Sequence, residues 1–148
     1  AFGRGAVFQD TTLRPLQPHA GAVGLQLDAA RLRWTPNGHT PDAISVALDL
    51  PDGARVAYTG DTGPGAAVEQ LAHDVDLLVS ECSFPDESPV GGHLTPTAAG
   101  ELATHCGARR LLLTHFYPML DPRAALRAAA RAFSGPIELA RDGSRHRL

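Results

Sequence analysis

From Pro64 to the C-terminus, apolar runs of strand length alternate with helical stretches, and this alternation limits the possible folds more than any other feature of the chain. Val75-Asp76-Leu77-Leu78-Val79-Ser80 is a mostly apolar run of the kind shown by a strand buried on both faces. A helical stretch opening at Pro64 and running to about His73 precedes it, with Val68, Leu71 and Ala72 at i, i+3 and i+4 on one face. Thr95-Pro96 starts a second helix, with a capping hydroxyl and a proline at the first helical position, and Gly107 closes it. Arg109 to Thr114 reads as another strand. Asp121-Pro122 then opens a third helix, rich in Ala and Arg, that stops at Ser134-Gly135-Pro136, and Ile137 to Ala140 is a last strand before a polar tail. Strands alternating with helices imply an α/β layered architecture.

The first 38 residues are rich in Gly and Pro, with short strand-like stretches at Ala22 to Leu27 and Leu32 to Trp34. Ala43 to Leu50 and Ala54 to Thr59 form a hairpin about the turn signal Pro51-Asp52-Gly53. No repeat, low-complexity tract or linker divides the chain, and 148 residues suit one domain. No apolar run approaches the roughly 18 residues of a membrane span, so no membrane partner is expected. All thirteen basic residues are Arg against sixteen Asp and Glu, so no positive excess announces a nucleic-acid surface. Cys82 and Cys106 are too few for a disulfide framework and read as buried reduced thiols, which favours a cytoplasmic setting. Ala1 begins no signal-peptide pattern, and a start without Met suggests a trimmed chain.

Asp61 lies between Gly60 and Gly63 in a tight turn at the end of a strand, from which its carboxylate can project at a sheet edge. His39 and His115 also sit where strand-like runs meet turns. One carboxylate and two imidazoles suit zinc, and manganese or iron would accept the same set. Two catalytic metals need more ligands than these, and the chain has no H-x-H or H-x-x-H cluster. The remaining candidates have ordinary explanations. Arg123, Arg127 and Arg131 recur every four residues as a solvated helix face; His19, His73, His105 and His146 lack partners at ligand spacing; and Cys82 has no identifiable activating base.

Four segments in order, Thr35-Pro36-Asn37-Gly38-His39-Thr40-Pro41, Tyr58-Thr59-Gly60-Asp61-Thr62, Gly92-His93-Leu94-Thr95 and Leu113-Thr114-His115, resemble the C-terminal half of the metallo-β-lactamase superfamily. The likeness is to the ribonuclease Z-like branch, with its Gly-Asp-Thr-Gly-Pro, an apolar strand ending in an acidic residue and a His-x-Thr helix start. It covers about residues 34 to 118. The resemblance implies that His39 binds one metal, Asp61 bridges two and His115 binds the other. It also implies that Glu81 pairs with His93, which protonates the leaving group. A carboxylate beside an imidazole fixes its tautomer and favours the imidazolium that a general acid needs.

By the same resemblance the fold expected is α/β, the C-terminal half of an αββα sandwich over residues 1–148, with the half bearing H-x-H-x-D-H absent. Two zinc ions are expected in the complete protein, and this chain alone is expected to be inactive. The expected function is metal-dependent hydrolysis of a small-molecule ester or phosphodiester through a metal-bound hydroxide. The alternatives are a tRNA 3′-processing endonuclease of ribonuclease Z type, with RNA as partner, and a non-catalytic interaction module of the same fold; a homodimer is left open. Two departures point away from tRNA: Phe116-Tyr117-Pro118-Met119 follows His115 in place of a serine- and arginine-containing loop, and only a short hairpin separates His39 from Asp61.

Overall fold

The computed structural model describes residues 23–148; residues 1–22, including His19 and most of the Gly- and Pro-rich stretch, lie outside the described residues. Among the described residues, seven strands form one mixed sheet in chain order. The first four, β1 (Val23–Leu27), β2 (Ala30–Pro36), β3 (Ile44–Asp49) and β4 (Arg55–Tyr58), make an antiparallel meander. The expected turn joins β3 to β4, with Gly53 at φ 88° and Leu50 N–H donating to Ala54 O at 2.8 Å. From β4 onward the sheet is parallel, adding β5 (Leu77–Glu81), β6 (Leu111–Thr114) and β7 (Ile137–Leu139). Helices α1 (Ala66–Leu71), α2 (Pro96–His105) and α3 (Pro122–Ala129) form the three crossovers.

Each parallel strand adds to the same edge, so right-handed crossovers bring all three helices to one face. On that face the register aligns Ala47, Ala57, Leu78 and Leu111 across four strands. These residues share one buried cluster with Val68 and Leu71 of α1, Leu102 of α2 and Ala129 of α3. The alanines leave room for the helices to approach. The other face carries Trp34, Val46, Tyr58, Val79 and Leu112 in one cross-strand row and Leu32, Leu48, Val56 and Leu77 in another. None of these nine belongs to the helix-side cluster among the described residues. A sheet apolar on both faces is built to lie between two layers.

Element ends follow local chemistry. Thr95 caps α2 by accepting from Ala98 N–H, and Asp121 caps α3 by accepting from the amides of Arg123 and Ala124; Pro occupies the first turn of both helices. Gly107 takes the left-handed conformation just past α2, at φ 69°. The first helix is shorter than expected. Gly65, with extended backbone, is its N-cap, leaving Pro64 outside, and the chain leaves the helix after Ala72 and turns at Asp74 with φ 53°. The buried strand lies later than its apolar run predicts. Arg55 N–H donates to the Asp76 carboxylate and Asp76 N–H to Arg55 O, which closes the approach to β5, and Glu81 pairs with Thr114 as the last residue of the strand. Cys82 and Cys106 are both free and buried. No helix among the described residues is long and apolar enough to cross a membrane.

Candidate metal centre

The C-terminal ends of three adjacent parallel strands meet at one edge, the place where open α/β sheets gather functional groups. Gly60 and Asp61 follow β4, Glu81 ends β5 and His115 follows β6. Each chain direction changes sharply there. Gly60 has φ 60°, and a Cβ on it would lie 3.0 Å from Ile44 O. His115 has φ 59°, uncommon for a residue with a side chain and a form of local strain that concentrates at functional sites. The left-handed turn brings its ring back toward Asp61, with Nδ1 3.2 Å from Asp61 Oδ1.

His93 reaches the same edge from the loop before α2. Its N–H donates to Val90 O at 3.2 Å, closing a turn in which Gly92 takes φ 83°. Ligand atoms of Asp61, His93 and His115 lie within 4.8 Å of one another. His39, from the β2–β3 loop, stands beside this group rather than in it. Its ring centroid is 4.6 Å from that of His93, and its Nδ1 lies 2.8 Å from Gly92 O. Asn37 holds the loop in place: its Nδ2 donates to Thr59 O at 3.0 Å, its Oδ1 accepts from His39 N–H at 3.2 Å, and its carbonyl accepts from Thr62 Oγ1 at 3.1 Å.

Glu81 is fully buried, and its carboxylate is satisfied on every side. Thr62 N–H donates to Oε1 at 2.5 Å, the Ser83 hydroxyl donates to Oε2, and His93 Nδ1 lies 3.2 Å from both oxygens. A buried carboxylate left unpaired would carry a large desolvation penalty. Ser83 also meets His115 Nδ1 at 2.9 Å. Its one proton is given to Glu81, so it accepts from His115.

These contacts fix all three imidazoles in one tautomer. A carbonyl, a carboxylate and a committed hydroxyl can only accept, so His39, His93 and His115 each donate from Nδ1 and keep the lone pair on Nε2. Imidazoles held by a second contact behind the ring, close to a carboxylate, are the donor chemistry of zinc-type sites. The residues therefore fit a divalent cation, with His93 joining Asp61 and His115 in the group.

Sequence reasoning did not single out Ser83, Asn37 or Tyr117. Ser83 lies two residues beyond Glu81, a spacing that hints at a shared side, but its bond to His115 depends on the neighbouring strand. Tyr117 borders the site. Its ring stacks on Phe84 with centroids 4.7 Å apart and lies 5.4 Å from the ring of His115 and 6.1 Å from that of His93. Cys82 takes no part as a nucleophile, because burial, followed by the charges of Asp86 and Glu81, pushes its thiol up to about 12. His73, His105 and His146 each pair with one carboxylate, of Asp74, Glu69 and Glu138 respectively, and among the described residues none joins a group of three ligand-type residues. Arg127 and Arg131 pair with Asp121 and Asp86 at 4.0 and 3.5 Å across an exposed surface.

Comparison with known proteins gives a consistent result. The model of a family described as the beta-lactamase superfamily domain matches residues 9–116. A ribonuclease Z of Salinispora arenicola is 40% identical over 113 residues, covering 72% of this chain and 36% of that protein. An uncharacterised protein of Mycobacterium tuberculosis is 35% identical over 101 residues, covering 67% of this chain and 37% of its own. The chain thus spans roughly a third to two-fifths of the length of these curated relatives. Among solved structures, the metallo-beta-lactamase fold protein YhfI of Bacillus subtilis superposes with a TM-score of 0.78 at 25% identity, over 87% of this chain and 53% of that one. The short form of human tRNase Z superposes with a TM-score of 0.63 at 22% identity, over 81% of this chain and 44% of that one.

Proposed function

The chain belongs to the beta-lactamase superfamily, and from this we propose that the full-length protein is a hydrolase of the metallo-β-lactamase type that cleaves an ester or phosphodiester with divalent metal at Asp61 and His115. The observation that carries the reading is the convergence of Asp61, His93 and His115 at the ends of three parallel strands and one helix-start loop. His39, whose Nε2 lone pair is directed by the bond to Gly92, is the further ligand in this reading. The chain is then one half of an αββα sandwich. The remaining ligands, and a layer over the second sheet face, come from outside residues 23–148. Zinc is the metal favoured by the donors, with manganese or iron as substitutes.

When bound, such an ion supplies Lewis acidity for activating water and for offsetting charge on the departing oxygen. The chain's own groups do the rest. Asp61 and His115 orient each other. Glu81 holds His93 by Nδ1 and leaves Nε2 as the ring atom that would take up a proton and pass it to a leaving oxygen. Ser83 keeps the two imidazoles in register by serving Glu81 and His115 together.

Metal content and turnover, measured in parallel on full-length protein, test the assignment. Asp61→Ala is expected to lose both. His93→Ala is expected to keep its metal while losing activity, which separates a proton donor from a ligand; loss of metal in that variant would instead make His93 a ligand. Full metal content and full turnover in both variants would overturn the proposal. RNA is the second reading, favoured by the identity to the Salinispora ribonuclease Z, and cleavage of a precursor tRNA tests it. Retention of Asp61, Glu81, His93 and His115 in one bonded set weighs against a purely non-catalytic module.

A further inference from the structure

The edge that holds Asp61, His93 and His115 is bordered by the rings of Phe84 and Tyr117. Tyr117 comes two residues after His115, and its N–H donates to Ser83 O at 3.3 Å, so the same segment that serves Glu81 anchors it. Phe84, next to Ser83, stacks on the Tyr117 ring at an interplanar angle of 29° and meets the His93 ring at 5.2 Å and 64°. The tyrosine is thereby braced from behind and still 37% exposed. Val90, three residues before His93, and Met119, two residues after Tyr117, are exposed apolar side chains. The border that the rings of Phe84 and Tyr117 make carries no charge of its own. It offers a good deal to a flat ring, because aromatic stacking against a fixed side chain needs no charge and little loss of rotamer freedom.

We infer that Tyr117, braced by Phe84, is a specificity-determining platform that stacks a planar aromatic group of the substrate, so that the substrate class is a phosphodiester or ester bearing an aryl ring or a nucleobase. The inference rests on the hydrolase reading of the same site and adds the group that the site selects. It assigns Tyr117 to binding, since no proton transfer is asked of its hydroxyl. The ring supplies the stacking surface, so Tyr117→Phe is expected to behave as the parent does.

The test is equilibrium binding to the metal-loaded full-length protein, followed by NMR or calorimetry, with four non-hydrolysed probes: methylphosphonate, phenylphosphonate, ribose 5-phosphate and a nucleoside 5′-monophosphate. The ring-bearing member of at least one pair is expected to bind about tenfold more tightly than its ring-free counterpart, from the ordinary strength of base–aromatic stacking. Preference within the phosphonate pair alone assigns an aryl group, and preference within the sugar pair assigns a nucleobase. Tyr117→Leu is expected to bring ring-bearing and ring-free probes to within about twofold of each other while leaving the ring-free affinities unchanged, and Tyr117→Phe to keep the preference. Equal affinity within both pairs, or a preference that survives Tyr117→Leu, would overturn the platform and leave the hydrolase reading standing, since methylphosphonate would still report an anion site dependent on Asp61. Binding of none of the four would overturn both.

Discussion

At the scale of single residues, the site depends on atoms that touch no metal. Ser83 serves two of the three charged or imidazole partners at once, and groups that orient ligands from behind are typically worth roughly ten- to a hundred-fold in metal affinity or activity. Ser83→Ala is therefore expected to lower one or both by that factor, as read by metal content and turnover, and to lower the melting temperature as well because the buried Glu81 carboxylate loses a donor. Gly92 makes a different contribution. At φ 83°, with an added Cβ only 3.1 Å from His39 Nδ1, Gly92→Ala strains the backbone by about 1–2 kcal/mol and pushes the His39 ring away. Thermal melting reads the first effect and metal affinity the second. The Cys82 thiol, held up near 12 and wholly buried, is expected to resist alkylation at pH 8 in the folded protein and to react once urea unfolds it; rapid labelling of the native state would refute that.

At the scale of elements, small residues and one ion pair decide how closely the layers approach. Gly100 on α2 faces α3, where a Cβ would lie 2.6 Å from Ala129 O and 3.1 Å from Ala132 Cβ. Gly100→Ala gains about 1 kcal/mol of helix propensity. It must also displace a backbone carbonyl, an overpacking cost of about 1–3 kcal/mol, so a net loss of stability is expected in denaturant titration. Arg33 ties β2 to β3 through two bonds of 2.9 Å to Asp49 and reaches the end of α1 through Leu71 O at 3.1 Å. Its hydrogen bond holds the Asp49 carboxyl below the ordinary value, against the opposing effect of burial. Since the unfolded chain titrates near about 3.9, this stabilisation is fully present above that pH and fades as pH falls through the lower folded value. Asp49→Asn should thus cost about 1 kcal/mol at neutral pH and progressively less in acid. Elements were legible where chemistry is local: Thr95-Pro96, Gly107, Asp121-Pro122 and Pro51-Asp52-Gly53 each set a boundary within a few residues. Boundaries set by partners were not. The start of β5 depends on Arg55 from another strand, and the length of α1 depends on how Gly65 and Asp74 turn the chain. The same division holds in the site. Asp61 and His115 are visible as strand-end residues, while Ser83 and Tyr117 become functional only through side chains on neighbouring strands and loops, and the bond from His39 to Gly92 O joins loops far apart in sequence.

At the scale of the molecule, the two sheet faces differ in kind. One is sealed by three helices against Ala47, Ala57, Leu78 and Leu111. The other presents Leu48, Val56 and Val79 only partly covered, with Tyr58 43% exposed. Trp34, Leu77 and Leu112 on this face are buried, and the partly covered apolar residues beside them are a place for a second layer. The 148-residue chain prepared alone is expected to bind a hydrophobic dye there, and Val79→Lys to reduce the signal; unchanged fluorescence would show the face to be covered already. The order of the strands has a further consequence for a protein made on a ribosome. Since the sheet runs β1 through β7 in chain order, each new strand can settle onto an edge already in place, with no rearrangement of what came before. The acid at position 61 nonetheless waits through two more strands for the imidazole at 115, so the two meet only after the strands between them have been laid down.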